Sequence, residues 1–304
     1  MATKQTKNLL FTFVLIVLII CSNAFSEDVT FGVMTYNIWQ WGKIKPRDLA
    51  NIVKNSGASI VGLQESWNAA RNEKLLSCLG WKNILYGGKD TPNVKSPEGK
   101  GSSFWINGYY MPQVLAAKYE VLEHKYYNTI NAKGYPDFEL PIYRGGILAK
   151  LQLPSGDIVC VFVLHLMPWR DVEQQRLEEI KSIIARLKPY SQYPTIIIGD
   201  FNTGSHLDGA TGKSAWVTEY IESQGFRDSY RVVHPDPKKD PGKTGGRRID
   251  YVFVNKHLVP VECTVLKEGV FGSEGFEDSD HLAVYAKLKI AKNQTAVESR
   301  SRGK

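Results

Sequence analysis

The feature that most constrains the fold is a series of short apolar, β-branched runs, each with a carboxylate, amide or imidazole residue at one end. Val29–Ile38 and Ser59–Leu63 have the composition of β-strands. Between them, Arg47–Asn55 follows Pro46 and places apolar residues on one helical face, which predicts a helix. The chain is therefore predicted to begin as strand, helix and strand.

The same pattern continues along the chain. Further strands are predicted at Ile147–Leu153, Ile158–Leu164, Thr195–Ile198, Ile249–Val254 and Val284–Ile290. A helix is predicted before Thr195, with Leu177, Ile180, Ile184 and Leu187 at helical spacing and Asp171 as its N-cap. Gly87–Pro112 and His234–Arg248 are rich in Gly, Pro and charged residues, which predicts long loops. Strand-like sequence resumes after each loop, so neither is interpreted as a domain linker.

The two ends of the chain differ from the rest. Lys4 and Lys7 precede an apolar run from Leu9 to Cys21, and small residues stand at Ala24 and Ser26, which is typical of a secretory signal peptide. A transmembrane anchor is disfavoured because the run is shorter than the roughly 20 residues needed to span a bilayer. We expect a signal peptide over 1–26, one domain over 27–291, a disordered polar tail over 292–304, and a secreted, extracellular protein cleaved near Ser26.

Removal of that leader leaves Cys78, Cys160 and Cys263. An odd number in an oxidising compartment allows at most one disulfide bond. Cys160 lies in an apolar run and is predicted to be a buried thiol. Pairing between Cys78 and Cys263 is left open by the sequence.

The charge is basic, with 38 Lys and Arg against 31 Asp and Glu among 304 residues, a net +7. Such a surface suits a polyanionic substrate or an anionic membrane. Part of the charge is concentrated in the predicted loop over 234–248, as Lys238, Lys239, Lys243, Arg247 and Arg248.

Eight polar residues lie at or beside the ends of the predicted strands: Asn37, Glu65, His165, Asp200, Asn202, Asp250, Asp280 and His281. Polar groups at strand ends can converge on one cleft. Oxygen ligands such as Glu65 and Asp280 select Mg²⁺, Mn²⁺ or Ca²⁺ over softer metals. Hydrolysis of a phosphate ester needs a carboxylate to orient water and donors for the charge that develops on phosphorus. The residue types therefore predict a divalent-metal-dependent phosphoester hydrolase.

Six short motifs carry a resemblance to a known family: Thr-Tyr-Asn-Ile at 35–38, Gly-Leu-Gln-Glu at 62–65, Leu-His-Leu at 164–166, Gly-Asp-Phe-Asn at 199–202, Arg-Ile-Asp-Tyr at 248–251 and Ser-Asp-His at 279–281. In this order and spacing the chain, from Val29 to about Ile290, resembles the endonuclease/exonuclease/phosphatase superfamily. The resemblance implies an α/β (α+β) fold, a four-layer sandwich of two packed mixed β-sheets flanked by helices. It also implies an active site at one edge of the sheets.

Metal ligands follow from the same resemblance by matching position. It implies that Glu65 is the principal ligand, with Asn37 beside it and Asp280 completing or supporting the site. The cofactor implied is Mg²⁺, with Mn²⁺ or Ca²⁺ as alternatives.

The catalytic roles that the resemblance implies fall on five residues. Asp200 would orient or deprotonate water, and Asn202 would hold a phosphate oxygen of the substrate. Asp250 would fix His281 against the scissile phosphate. His165 occupies the position that is His in the deoxyribonuclease-like branch and Tyr in the abasic-site repair branch, so it favours a nuclease-like or phosphodiesterase-like site.

Some assignments have equally simple alternatives. Asp250, beside Arg247 and Arg248, would form a surface ion pair if the other motifs were missing. Arg144 is a candidate for substrate binding because Arg engages phosphate through two hydrogen bonds. A structural role for Arg144 is equally expected.

The leading functional hypothesis is a nuclease-like phosphodiesterase acting on nucleic acid. A sphingomyelinase-type lipid phosphodiesterase, with membrane lipid as partner, and a sugar or inositol phosphate phosphatase are the alternatives within the fold. Gly87–Pro112 combines Lys with aromatic residues and fits a nuclease or a lipid enzyme, whereas the basic loop over 234–248 favours nucleic acid. A catalytically silent binding module is disfavoured because all eight polar positions are filled, and no protein partner is implied.

Overall fold

A computed structural model describes residues 28–39, 44–66, 74–75, 77–86, 113–131, 143–168, 170–266 and 279–291. The predicted signal peptide over 1–26, the predicted loop Gly87–Pro112 and the predicted tail over 292–304 lie outside these residues. Within the described ranges, no helix combines the length and apolar character needed to cross a membrane.

The described strands form two six-stranded sheets. The first has the order β11-β12-β1-β2-β4-β3, with β1 at Thr30–Asn37, β2 at Ile60–Gln64, β3 at Asn83–Tyr86, β4 at Val114–Ala117, β11 at Leu258–Val265 and β12 at Val284–Ile290. The second has the order β5-β6-β7-β8-β10-β9, with β5 at Glu120–Asn131, β6 at Tyr143–Gln152, β7 at Ile158–His165, β8 at Thr195–Asp200, β9 at Arg227–Asp228 and β10 at Asp250–Val254. Each sheet contains one parallel pair, β1–β2 and β7–β8, among antiparallel neighbours.

Helices pack against both sheets. Their bounds are α1 at Pro46–Ser56, α2 at Glu173–Leu187, α3 at Trp216–Ser223 and α4 at Ser229–Val233. Helix α1 begins at Pro46, whose missing N–H suits the first helical turn, and ends at Gly57 in a left-handed conformation. Three apolar layers result: between the sheets (Val33, Val163, Ile198 and Val252), beneath α1 (Met34, Leu49 and Val53), and beneath α2 and α3 (Phe162, Ile180 and Ile197). The predicted four-layer sandwich of two mixed sheets is confirmed.

The predicted strands are present with small shifts at their ends, but Tyr143–Gln152 begins four residues before the predicted Ile147. The prediction of Asp171 as a helix cap was wrong. Helix α2 begins at Glu173 after Val172, with no side-chain cap, and Asp171 has a left-handed φ of 59°. Cys160 is buried as predicted, and Cys78, Cys160 and Cys263 are all free thiols.

Candidate active site

Strand register places three of the predicted site residues side by side. Asp200, the last residue of β8, pairs with His165 of parallel β7 and with Asp250 of antiparallel β10. Parallel β7 and β8 end at the same edge of the sheet, and antiparallel β10 begins there, so the three side chains share one edge. All three are buried.

The first sheet supplies Asn37 and Glu65 to the same edge. Asn37 ends β1 opposite Gln64 of β2, and Glu65 follows directly. The Asn37 amide Nδ2 donates to Glu65 Oε1 at 3.1 Å and to Asp200 Oδ2 at 3.0 Å, while its Oδ1 accepts from the Trp39 amide at 3.0 Å. Asn37 therefore joins the two sheets by holding one carboxylate from each.

The backbone around the site is held in uncommon conformations. Glu65 and Asn202 have left-handed φ angles of 56° and 53°, which are rare for residues other than Gly and cluster at functional sites. Gly199 is extended at φ 153°, and an added Cβ would lie 2.1 Å from the Leu164 carbonyl oxygen. Only glycine therefore fits directly before Asp200.

The turn after Asp200 is fixed by its own side chains. Asp200 Oδ1 accepts from the Asn202 amide at 2.8 Å, and Asn202 Nδ2 donates to the Leu166 carbonyl at 3.1 Å. Asn202 thus connects the ends of β7 and β8 and lies beside both His165 and Asp200.

His281 lies between two buried carboxylates. Its Nδ1 is 2.8 Å from Asp250 Oδ2 and its Nε2 is 3.8 Å from Asp200 Oδ2. Burial lowers the pKa of His281, but the charges of Asp250 and Asp200 outweigh burial and raise the pKa to about 10. The Ser279 hydroxyl donates to the Asn37 carbonyl and accepts from the His281 amide, so the segment carrying His281 is bonded to the end of β1.

The carboxyl groups around His281 differ in their titration. Burial favours the neutral acid at Asp200, but the charge of His281, the nearby His165 imidazole and the hydrogen bond from Asn37 hold the pKa of Asp200 below its ordinary value. Burial raises the pKa of Asp250 despite the charge of His281. Asp200 is therefore the ionised acceptor of the centre, and Asp250 supports His281.

His165 is buried, with Nε2 3.4 Å from Asp200 Oδ2. Its main chain is fixed by α2, which contributes two buried residues that the motif reading missed. Arg176 Nε donates to the Met167 carbonyl at 2.7 Å, and Glu179 Oε2 accepts from the Met167 amide at 3.0 Å. An Arg and a Glu three residues apart on the apolar face of a predicted helix were the available signal, because charged residues are rarely buried without partners.

The donors of the centre suit a divalent cation. Asp200, Asp250 and His281 present ligand atoms within 4.8 Å of one another, but an imidazole with a proton on each ring nitrogen has no lone pair for a metal ion, so carboxylates are the more suitable ligands. Burial raises the pKa of half-exposed Asp280, and the positive charge of His281 opposes this shift. The negative charge of Glu65 repels the Asp280 carboxylate and adds to the shift. A cation between Glu65 and Asp280 would relieve this repulsion, and oxygen ligands of this type match Mg²⁺, Mn²⁺ or Ca²⁺.

A cleft of about 660 Å³ opens beside His281. Among the described residues, its lining includes Pro168, Arg170, Asp171, Glu173, Arg176, Gly245, Gly246, Arg247, Ile249, Asp280 and His281. The centre is therefore accessible from one side to a molecule of ligand size, since binding pockets span roughly 300–1,000 Å³.

The structure corrects part of the expected basic loop. Arg248 is buried, with Nη1 2.6 Å from Asp228 Oδ2 and Nε 2.8 Å from Asp208 Oδ2, so it is not exposed to a substrate. A surface ion pair of Asp250 with Arg247 or Arg248 is also wrong, because Asp250 is buried against His281. The Arg144 backbone lies in β6, but its side chain is outside the described part of the chain.

Comparisons with known proteins agree with this geometry. A sequence model of the Endonuclease/Exonuclease/phosphatase family matches residues 34–281. An endonuclease/exonuclease/phosphatase from Beutenbergia cavernae is similar in structure, with a TM-score of 0.66 and 19% identity over 86% of this chain and 72% of that chain. The human Nocturnin catalytic domain with bound sulfate has a TM-score of 0.63 and 20% identity, covering 87% of this chain and 96% of that one. D. rerio TDP2 complexed with single strand DNA product has a TM-score of 0.60 and 14% identity, covering 86% and 99%.

Proposed function

Because this chain belongs to the endonuclease/exonuclease/phosphatase family of metal-dependent phosphoric ester hydrolases, we propose that it is a secreted phosphodiesterase that hydrolyses nucleic-acid strands. The observation that carries the proposal is the convergence of Asn37, Glu65, His165, Asp200, Asn202, Asp250, Asp280 and His281 on one edge of the two sheets.

Each catalytic side chain has a role that follows from its partners. Asp200 is ionised and accepts hydrogen bonds, so it orients an attacking water and takes its proton. His281 is held as a cation by Asp250 and lies where it can donate to a non-bridging phosphate oxygen. His165 Nε2 lies 3.4 Å from the Asp200 oxygen that His281 also approaches and serves the leaving oxygen, while Asn202 provides an amide donor to the phosphate.

Glu65 and Asp280, with Asn37 beside them, are the residues that would hold Mg²⁺, or Mn²⁺ or Ca²⁺. Such an ion, when bound, neutralises charge on the phosphate. Asn37 donates to both Glu65 and Asp200, so it keeps these two carboxylates at a constant separation.

Three observations support nucleic acid as the substrate. The similar TDP2 structure contains a single strand DNA product, the chain carries a net charge of +7, and arginines line the cleft beside His281. Cations along a groove favour binding to a phosphate backbone. Secretion rests on the signal-peptide pattern over 1–26.

The proposal is tested with a hydrolysis panel on the chain that begins at Glu27. Plasmid DNA, RNA, sphingomyelin and sugar phosphates are compared with Mg²⁺, Mn²⁺ or Ca²⁺ and with excess EDTA. We expect cleavage of DNA or RNA that EDTA abolishes. Preferential hydrolysis of sphingomyelin or a sugar phosphate would contradict the substrate proposal, and N-terminal sequencing of protein recovered from culture medium, beginning elsewhere than near Glu27, would contradict the cleavage site.

A further inference from the structure

The cleft beside His281 is lined by arginines from three segments of the chain. Arg170 follows the end of β7, Arg176 lies on α2, and Arg247 precedes β10. Arg170 and Arg247 are exposed, and their side chains form no hydrogen bond or ion pair with other described residues. Because Asp280 and His281 line the same cleft, a group bound there is adjacent to the phosphate under attack.

Arg247 is carried by a turn that is anchored to the catalytic segment. The Thr244 amide donates to the Arg247 carbonyl at 3.2 Å, and the Leu282 amide donates to the Thr244 carbonyl at 2.6 Å. Thr244 is buried. The backbone of Arg247 is therefore held relative to the segment that carries His281 before any ligand arrives, which lowers the entropy cost of binding.

The charges of the cleft favour an anion at Arg170 and Arg247. Glu173 Oε1 lies 3.3 Å from Arg176 Nη1 and partly neutralises it. Burial lowers the pKa of Arg176, and the nearby positive charge of Arg247 lowers it further, against the charge of Glu173. Two guanidinium groups of like charge therefore face one cleft, and an anion between them and Arg170 would relieve their repulsion.

We propose that Arg170 and Arg247 bind a second phosphate group of the substrate, next to the phosphate that is hydrolysed. The inference rests on the proposed function and deepens it, because it names a substrate with neighbouring phosphates. Gly245 and Gly246 line the same cleft and add no side chain to it.

The test compares substrates that differ by one phosphate. Thymidylyl-thymidine is assayed bare and with a 5′- or 3′-terminal phosphate, and bis(p-nitrophenyl) phosphate serves as a diester with no second phosphate. The variant is Arg170→Gln/Arg247→Gln. Its matched control is Lys188→Gln/Lys256→Gln, which removes the same charge from exposed positions that do not line the cleft.

We expect kcat/KM of the arginine variant on a phosphorylated dinucleotide to fall at least about tenfold. A hydrogen bond to a charged group changes binding affinity by about tenfold or more. Its rates on the bare dinucleotide and on bis(p-nitrophenyl) phosphate should stay within about twofold of wild type, and the lysine control should match wild type on all substrates. The kcat/KM values for fructose 1,6-bisphosphate and fructose 6-phosphate are compared as well. A preference for the bisphosphate that the arginine variant loses would identify a sugar bisphosphate, rather than a nucleic-acid strand, as the source of the second phosphate.

An equal loss on all substrates, or an equal effect of the lysine control, would overturn the second site. If wild type hydrolyses no diester, the proposed function fails, and the second site is then judged by binding. Calorimetry in EDTA compares thymidine 3′,5′-bisphosphate with thymidine 5′-monophosphate. Tighter binding of the bisphosphate that is lost in Arg170→Gln/Arg247→Gln supports the site, and the same ratio in both proteins refutes it.

Discussion

Arg247 and Arg248 are neighbours in sequence with opposite environments, and this contrast allows a sharp stability test. Arg248 bonds to Asp228 and Asp208 at 2.6 Å and 2.8 Å, and the side chains of Arg248 and Asp228 are 2% and 1% exposed. The guanidinium also lies over the Tyr251 ring at 4.6 Å. Asp228 in turn caps α4 by accepting from the Tyr230 and Arg231 amides.

Arg248→Met keeps most of the apolar stem but removes the charge, so Asp228 is left buried and ionised without its main partner. Loss of one partner from a buried ion pair costs about 3–5 kcal/mol of unfolding free energy. For a domain of this size the melting temperature should fall by roughly 6–20 °C, since 1 kcal/mol corresponds to about 2–4 °C. Arg247→Met removes an exposed side chain and should stay within about 0.5 kcal/mol.

Urea unfolding followed by circular dichroism measures both variants against wild type. The double variant Arg248→Met/Asp228→Leu should recover part of the loss, because no buried charge is then left unpaired. A loss below about 1 kcal/mol for Arg248→Met would refute the reasoning, as would equal losses for Arg247→Met and Arg248→Met.

Three further predictions concern the active site. Glu65→Gln should abolish metal-dependent hydrolysis because it removes a carboxylate ligand of the metal. The circular dichroism spectrum and melting temperature should stay unchanged, since Glu65 is a half-buried residue at a strand end, outside the core. Full wild-type activity in excess EDTA would contradict the metal role. Asp200→Asn and His165→Ala should both lower turnover severely. A nitrophenyl phosphodiester, whose leaving oxygen needs little protonation, should restore a larger share of the wild-type rate to His165→Ala than to Asp200→Asn. Equal restoration in both variants would show that the two roles are wrongly divided. Gly199→Ala should destabilise the protein by about 1–3 kcal/mol through overpacking, because an added Cβ would meet a carbonyl oxygen at 2.1 Å. At Gly156 an added Cβ meets nothing within 4 Å, so Gly156→Ala should cost only about 1 kcal/mol for its left-handed φ. Equal melting temperatures of the two variants in thermal unfolding would contradict this prediction.

The sequence could predict the strands that carry the site because their signal is local. Val33, Val163 and Ile198 lie in β-branched runs that pack between the two sheets, and burial of each such side chain contributes about 1.5–3 kcal/mol. The polar residue that interrupts each run marks the strand end directly. The eight candidate residues could therefore be proposed from the strand ends and the family motifs, without knowledge of any contact.

Features that depend on distant partners could not be predicted in the same way. Arg248 stands in a run of basic residues, and only the folded chain brings Asp208, 40 positions away, within 2.8 Å of it. Asp171 has the composition of a helix cap, but its left-handed φ removes it from the capping position. In both cases the neighbouring sequence suggested one role for the residue, and contacts or backbone geometry in the folded chain gave it another.

The topology explains why residues so far apart in sequence meet at one edge. In each sheet the parallel pair, β1–β2 or β7–β8, ends at that edge. The antiparallel neighbours β12 and β10 begin there, since Val284 pairs with Thr35 and Asp250 with Asp200. A mixed sheet thus presents two strand ends and one strand start at the same place, whereas in a purely antiparallel sheet neighbouring strands would end at opposite edges. The site needs both kinds of pairing, and substitutions at the far ends of these same strands should change stability without changing the chemistry.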